Sequence, residues 1–403
     1  KTSNGDTALI TAARNGHTAC VRMLIDNKAD IADRNRNSYT ALLAAASNGH
    51  TDCVEMLIDA KAGIDVTNLF RDTASILATQ NGHTACLLML VDAKADINAT
   101  NQKGDTALIW AAREGHTACV QMLVDAKVAV ITKNKKGDTA LISAAQNGHT
   151  ACVQTLIDAK AEVAARNLDG YTAILAAASQ GHAECAQALV DAKAYVNVTA
   201  PNGDTALLLA AMNSHTECAK ILVDAKANVL ATNSNGDTAL ILAAREGNSR
   251  CVQMLVDAKA DVNVKNHKGN PTLAIAVEQG HNTCVQMLLD AKAKVEATVP
   301  NGDTALIIAI RNDRTACVQM LVDAKADVNV KTWMGSIALI VAAIDGRSAC
   351  AQILLDAKAD TTVTHKNGHN ALMLASSAGD TDFLDVLIPA MLTQATASRP
   401  DMQ

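Results

Sequence analysis

A short motif, Gly-Asp-Thr-Ala-Leu, recurs along the chain at a fixed spacing and constrains the fold more than any other feature. Every step between copies is 33 residues or a multiple of 33, with no insertion or deletion. The motif begins at Gly5, Gly104, Gly137, Gly203, Gly236 and Gly302, and variants of it begin at Ser38, Arg71, Gly170, Gly269, Gly335 and Gly368. Twelve units in register argue against the two or three unrelated domains that 403 residues would otherwise suggest.

Each unit predicts two short helices and a turn, and the clearest unit runs from Lys103 to Asn134. Across Thr106 to Glu114 the apolar residues recur at helical spacing. Asp105 suits the start of this helix, both as a cap and as a negative charge facing the dipole, and Gly115 favours its end. A second helix is predicted from about Thr117 to Ala126, followed by Asn, Lys and Gly residues that are typical of a turn.

Neither helix is long enough to be stable alone, so the units must bury their apolar faces against one another. Apolar residues make up 49% of the chain, but aromatic residues make up only 2%. The core must therefore be built from Ala, Leu, Val, Ile, Met and Cys, which suits closely packed helices. Ala at the place of Ala111 and Leu at the place of Leu123 occur in all twelve units, and we interpret both as packing positions.

The unit resembles the ankyrin repeat, whose first helix carries Thr-Pro-Leu-His-x-Ala within 33 residues. Here the motif is Thr-Ala-Leu-Ile-x-Ala at Thr106 to Ala111, followed by the family's usual Gly-His at Gly115 and His116. The family's Ala-Asp-Val-Asn ending is present at Ala260 to Asn263 and at Ala326 to Asn329. The resemblance implies an all-α ankyrin-repeat solenoid of stacked helix-turn-helix units joined by β-hairpin-like turns.

The resemblance covers nearly the whole chain, from about Asn4 to Ile388. We expect the array to occupy residues 1–392 and a polar tail to occupy residues 393–403, with Pro389 ending the last helix. Ser38 and Arg71 replace the glycine of the turn, so we expect distorted hairpins in repeats 2 and 3.

Two further columns of the repeat carry reactive side chains. All eleven cysteines share one place: Cys20, Cys53, Cys86, Cys119, Cys152, Cys185, Cys218, Cys251, Cys284, Cys317 and Cys350. Neighbouring units should lie about 10 Å apart, too far for a disulfide or a shared zinc ion, so we interpret these residues as core. Histidine occupies the place of His116, just before the second helix, in eight repeats, and we expect a structural role there. The sequence thus predicts no catalytic residue, no cofactor and no metal, and therefore no enzyme.

The charge pattern limits the partners and the location. A net charge of −6 shows no basic excess for nucleic acid or an anionic membrane surface, and no run of about 18 apolar residues predicts membrane insertion. Unpaired thiols indicate a reducing compartment, so we expect an intracellular, cytoplasmic protein. Eleven units end the second helix with Asp-x-Lys. We interpret each Lys as offsetting the helix dipole, with a charged groove as the functional alternative.

The resemblance implies that partner proteins or extended peptide segments bind the hairpin tips and the exposed, concave face of the first helix. Residues at these positions vary between units, and five of the seven aromatic residues fall there. Exposed Trp and Tyr are frequent hot spots of interfaces. The candidate partner-binding residues are Tyr39, Phe70, Trp110, Arg113, Tyr171, Met212, Arg245, Arg311 and Trp333.

The two ends of the array differ. Repeat 1 has no polar outer face, so we expect further repeats or another domain before Lys1. Repeat 12, in contrast, has the polar residues of a solvent-facing cap. The first functional hypothesis is a non-enzymatic scaffold for protein interactions. The alternatives are the regulatory or targeting region of a larger enzyme or ion channel, and an elastic element of a cytoskeletal assembly.

Overall fold

The computed structural model describes residues 2–332 and 334–397, which divide into two compact units. Unit 1 comprises residues 1–201 with Asp224–Lys226, and unit 2 comprises Asn202–Val223 and the residues from Ala227 onward. The first six repeats contain α1 Ala8–Arg14, α2 Thr18–Asp26, α3 Ala41–Asn48, α4 Thr51–Asp59, α5 Ala74–Gln80, α6 Thr84–Asp92, α7 Ala107–Glu114, α8 Thr117–Asp125, α9 Ala140–Gln146, α10 Thr150–Asp158, α11 Ala173–Gln180 and α12 Ala183–Asp191.

The next six repeats continue the same alternation of a first and a second helix. They contain α13 Ala206–Met212, α14 Thr216–Asp224, α15 Ala239–Arg245, α16 Ser249–Asp257, α17 Thr272–Gln279, α18 Asn282–Asp290, α19 Ala305–Arg311, α20 Thr315–Asp323, α21 Ala338–Ile344, α22 Ser348–Asp356, α23 Ala371–Ala378 and α24 Thr381–Ala397. The described residues form isolated β-bridges beside four of the turns, such as the pair Thr232 and Thr238, and no longer strands. The predicted all-α class of paired helices is confirmed.

A threonine caps the first helix of most repeats. In repeat 4 the Oγ1 of Thr106 accepts a hydrogen bond from the backbone N–H of Ile109 at 3.3 Å, so that α7 begins at Ala107. The prediction that Asp105 caps this helix is wrong, because its carboxylate is engaged elsewhere. Gly115 ends α7 with a φ of 76°, the left-handed conformation that glycine adopts without a Cβ clash.

The second helix ends in a motif that places a lysine where glycine is common. After α8, the N–H of Lys127 donates to the carbonyl of Val124 at 2.9 Å, and the N–H of Val128 donates to that of Leu123 at 3.1 Å. These two bonds define a Schellman motif. The eleven lysines at this place are exposed and have φ between 59° and 68°. A left-handed conformation costs a non-glycine residue about 1–2 kcal/mol, so the lysines do more than face the dipole: they hold a strained turn.

Small residues and leucines form the core of each unit. Within unit 1, α7 packs against α8 of its own repeat and against α5 and α9, the first helices of the adjacent repeats. Ala111 and Leu123 are fully buried. The short alanine side chain permits first helices to approach closely, while leucine fills the space beneath them.

The last repeat departs from the sequence prediction. Pro389 lies inside α24, which continues to Ala397, so the prediction that this proline ends the helix is wrong. A proline removes one backbone donor but keeps its carbonyl as an acceptor, and the hydroxyl of Thr393 donates to the Pro389 carbonyl at 2.9 Å. Residues 398–403 of the expected polar tail lie outside the described residues. Among residues 2–332 and 334–397, no helix has the length and apolar character needed to cross a bilayer.

Candidate partner-binding site

An asparagine organises the hairpin turn before each first helix in most repeats. In repeat 4 the Oδ1 of Asn101 accepts hydrogen bonds from the N–H groups of Lys103 and Asp105 at 2.9 and 3.0 Å. The N–H of Gly104 donates to the carbonyl of Asn101 at 2.9 Å and closes the turn. The side chains of Gln102 and Lys103 are thereby left exposed at the tip.

The same turn forms where glycine is replaced. Ser38 and Arg71 adopt φ of 60° and 61°, and their N–H groups donate to Asn35 and Asn68 at 3.0 Å each. The prediction of distorted hairpins in repeats 2 and 3 is therefore wrong. The two residues take the left-handed conformation of the glycine that they replace, at a conformational cost of about 1–2 kcal/mol each.

Backbone hydrogen bonds join successive tips within unit 1. The N–H of Gln102 donates to the carbonyl of Phe70 at 2.8 Å, and the N–H of Lys135 donates to that of Lys103 at 3.0 Å. Equivalent bonds link the tips of repeats 1 and 2, 2 and 3, and 5 and 6, at 2.9–3.1 Å. Because these bonds set the position of each tip against its neighbour, the tip side chains form an ordered row.

A buried aspartate and an asparagine of the next repeat tie neighbouring hairpins together. The Nδ2 of Asn134 donates to the Oδ1 of Asp105 at 2.8 Å, and Asp105 is only 1% exposed. The same bond joins Asn101 to Asp72 and Asn167 to Asp138. This network was missed in the sequence, although the recurrence of Asn four residues before Asp was a signal for it.

Three of the candidate residues are arginines that pair with the equivalent aspartate of their own repeat. Arg113 donates from both terminal nitrogens to Asp105, at 2.8 and 2.9 Å. Arg245 pairs with Asp237 at 3.0 Å, and the Nε of Arg311 lies 3.3 Å from Asp303. In repeat 1, the hydrogen bond from Arg14 lowers the pKa of Asp6. The guanidinium groups thus hold the hairpin to the end of the first helix, with only their outer edges accessible to a partner.

Two repeats replace this ion pair by a tyrosine and a serine. Tyr39 and Tyr171 stand in the place of the aspartate, and Ser47 and Ser179 stand eight residues later in the place of the arginine. Both tyrosines are partly exposed. A groove of about 330 Å³ lies beside Tyr171; it is lined by Ile142, Gln146, Asn167, Asp169, Tyr171, Ala176, Ser179 and Gln180. Removing the long arginine leaves room beside the ring.

Trp110 belongs to repeat 4, between repeats 2 and 6, which carry the two tyrosines. Its ring is half-buried, and the guanidinium carbon of Arg113 lies 4.7 Å from the ring centroid, a cation–π contact. The indole Nε1 is buried without a hydrogen-bond partner, which costs about 1–3 kcal/mol. Packing and the stacked Arg113, rather than hydrogen bonding, therefore hold Trp110 in place.

The remaining candidates differ in exposure. Phe70 is 60% exposed at the tip of repeat 3, and Leu69 beside it is 57% exposed. Leu69 was missed in the sequence, although it occupies the same tip. Met212 is exposed at the end of α13 in unit 2. Trp333 lies outside the described residues.

The repeated helix pair and its hairpin match a known family. A family model described as ankyrin repeats, in three copies, matches residues 1–68, 60–134, 126–200, 174–266 and 259–332, well over half of the chain. The chain belongs to the ankyrin-repeat family. Ankyrin repeats are protein–protein interaction modules. The comparison with curated proteins found no match.

The histidines of these ankyrin repeats connect neighbouring repeats. The Nε2 of His149 donates to the carbonyl of Arg113, at the end of the preceding first helix, at 2.9 Å. Its ring covers Gly115, where an added Cβ would lie 2.5 Å from Nδ1. His50, His182 and His281 make the same hydrogen bond at 2.9–3.1 Å. The predicted structural role is confirmed for these rings, since each satisfies a helix-terminal carbonyl of the previous ankyrin repeat.

The cysteine column lies in the core. Cys20 is exposed, whereas the ten other cysteines are buried thiols. The hydroxyl of Thr84 and the Sγ of Cys119 lie 3.4 Å apart, so the ankyrin repeats also meet here. Burial raises the pKa of the Cys251 thiol to about 12, which keeps it in the unreactive protonated form. In the part of the chain that the structure describes, no group of three His, Cys, Asp or Glu residues could hold a metal ion.

Proposed function

We propose that the protein is a non-enzymatic scaffold that binds a partner protein on the helix-1 and hairpin face of unit 1. One observation carries this proposal. Across repeats 2–6 this face presents Tyr39, Phe70, Trp110 and Tyr171 at least partly exposed, on a framework of buried alanine and leucine. Aromatic side chains in fixed positions are the usual anchors of protein interfaces. Arg113, stacked on Trp110, adds a charged edge to the same face.

The groove beside Tyr171 supports an extended segment as the occupant. It lies between repeats 5 and 6 and has both apolar walls, from Ile142 and Ala176, and polar ones, from Gln146 and Gln180. Such a mixture suits a peptide that places one side chain in the groove and bonds through its backbone. Met212, Arg245 and Arg311 of unit 2, and Trp333, remain proposed contacts of a longer partner.

The test is selection of binding peptides from a random display library on the whole chain. Affinities of the selected peptides are then compared between the wild type and the double variant Trp110→Ala/Tyr171→Ala. We expect at least a tenfold loss, since each anchor contributes about 1–2 kcal/mol. Tyr195→Ala is the matched control, because Tyr195 is an exposed aromatic residue beyond the second helix of repeat 6. Peptides that bind all three proteins equally would contradict the proposed site.

A second candidate function is that of a targeting or regulatory region within a larger protein, and the outer face of repeat 1 favours it. There Cys20 and Met23 are exposed beside a groove of about 590 Å³ lined mainly by apolar atoms. In repeats 2–6 the residues at the place of Cys20 are buried and those at the place of Met23 are half-buried. We infer that a further repeat or domain covers this face. We also infer a reducing compartment, since nine buried cysteines, Cys53 and Cys119 among them, form no disulfide in the part of the chain that the structure describes.

Alkylation of the Cys20 thiol tests this second candidate. In this chain Cys20 should react within minutes, and the buried cysteines should react only on unfolding. In a longer protein that carries the proposed neighbour, Cys20 should be protected as well as Cys53 is. Equal and rapid labelling of Cys20 in both proteins would show that nothing covers repeat 1.

A further inference from the structure

Five cations on the hairpin tips of repeats 2–5 form what we term the basic edge of unit 1: Arg36, Arg71, Lys103, Lys135 and Lys136. All five side chains are exposed. None of them has an ion pair or a side-chain hydrogen bond among the described residues. They differ in this from Arg14 and Arg113, whose guanidinium groups are held by buried aspartates.

Three other cations near the hairpins donate hydrogen bonds to backbone carbonyls, unlike the five cations of the basic edge. The Nη1 of Arg34 donates to the carbonyl of Thr67, and the Nζ of Lys133 donates to that of Arg166, both at 2.9 Å. Arg166 in turn donates to the carbonyl of Thr199 at 2.7 Å. These three residues join one repeat to the next. The five residues of the basic edge have no such structural task.

No carboxylate offsets the basic edge at the tips. The turn residues 35–38, 68–71, 101–104 and 134–137 include no Asp or Glu. The aspartates that follow three of these turns, Asp72, Asp105 and Asp138, are buried and hydrogen-bonded to asparagines. The tip of repeat 6 carries Asp169, where the basic edge ends. A chain with a net charge of −6 therefore concentrates free positive charge on one row of tips.

The row also has an apolar centre and a fixed register. Leu69 and Phe70 are more than half exposed in repeat 3, between the cations of repeat 2 and those of repeats 4 and 5. The backbone bonds between successive tips hold these side chains in order. At roughly 10 Å per repeat the basic edge spans about 30 Å, which an extended segment of about nine residues covers.

We propose that the basic edge binds an acidic, extended protein segment with an apolar residue opposite Phe70. The inference rests on the proposed scaffold function and names the chemistry of its partner. Five cations over about 30 Å are sparse for duplex DNA, which carries a charge every 1.7 Å or so, but they suit carboxylates on alternate residues of an extended peptide. The exposed Leu69–Phe70 pair favours a partner with apolar side chains over a bare polyanion.

The experiment measures binding of a fluorescent peptide of about nine residues, made of Glu and Ser around two central leucines, by anisotropy on the whole chain. The triple variant R71E/K103E/K136E should weaken binding about tenfold or more, since each lost ion pair contributes a factor of about two to five. Raising NaCl from about 50 to about 300 mM should also weaken binding. Phe70→Ala, or replacement of both leucines of the peptide by Ser, should weaken binding severalfold.

The matched control is K61E/K94E/K127E. It makes the same change in charge at three exposed lysines of unit 1 that lie away from the tips, at the second-helix ends. Equal weakening by both triple variants, or no binding of the acidic peptide, would overturn the inference. So would binding of phosphatidylserine vesicles or an oligonucleotide in place of the peptide. Display-selected peptides that are neutral and depend only on Trp110 and Tyr171 would leave the scaffold function intact and remove this inference alone.

Discussion

Asp105 shows how one buried carboxylate joins three parts of the array. It accepts hydrogen bonds from Arg113 at the end of its own first helix and from Asn134 in the next hairpin. A buried charge is tolerated only when such donors surround it. The aspartate of the repeat motif is therefore retained for the link between hairpin, helix and next repeat.

Removal of this carboxylate should destabilise the protein more where an arginine depends on it. Asp105→Ala should lower the free energy of unfolding by about 2–3 kcal/mol, since it leaves Arg113 and Asn134 unpaired in a largely buried site. Asp138→Ala should cost only about 1 kcal/mol, because Asp138 binds Asn167 but has Gln146 in place of the arginine. Chemical denaturation followed by circular dichroism compares the two, and equal losses would contradict the role given to Arg113.

The turn between the two helices couples adjacent repeats at the scale of the element. Gly115 ends α7 in the left-handed conformation, and the ring of His149 from the next repeat covers it. The ring bonds to the last turn of α7 through the carbonyl of Arg113. The glycine therefore serves two purposes, a positive φ and a flat surface for the histidine.

Gly115→Ala should lower the free energy of unfolding by about 2–3 kcal/mol, from conformational strain and from the clash with His149. In a His149→Ala background the same change should cost only about 1 kcal/mol, because the clash is gone. Gly379→Ala is the matched control, since Gly379 also has a positive φ but no atom within 4 Å of an added Cβ. Denaturation of the four proteins gives the coupling, and a cost for Gly115→Ala that does not change with His149 would exclude the proposed contact.

At the scale of the whole molecule, each helix pair of unit 1 contacts its immediate neighbours in the chain. Stability in such an array is a sum of local terms, so a surface can vary from repeat to repeat without loss of the core. This freedom is used unevenly. Alanine and leucine recur without change in the core, while the tips and first helices of unit 1 carry four of the seven aromatic residues and the five cations of the basic edge.

Local signals in the sequence were enough to predict the helix pairs and most of their limits. Thr106 and Gly115 act within a few residues of where they stand, and twelve copies in register repeat the same local signals. Local signals sufficed for the core as well, because Ala111 keeps helical spacing with Leu108 in α7, and Leu123 keeps it with Cys119 and Val120 in α8. The prediction for Pro389 was wrong because packing of the last repeat maintains α24 beyond a residue that usually ends a helix.

Whether a polar side chain is engaged or left exposed depends, in contrast, on how the repeats stack. The partner of Asp105 is Asn134 in the next repeat, and the carbonyl that holds Lys133 belongs to Arg166, 33 residues away. Such bonds depend on how one repeat stacks on another, which no local pattern specifies. The stacking engages Arg113 and Lys133 in hydrogen bonds and leaves Lys103 and Lys136 exposed, and so it separates the framework from the proposed binding surface.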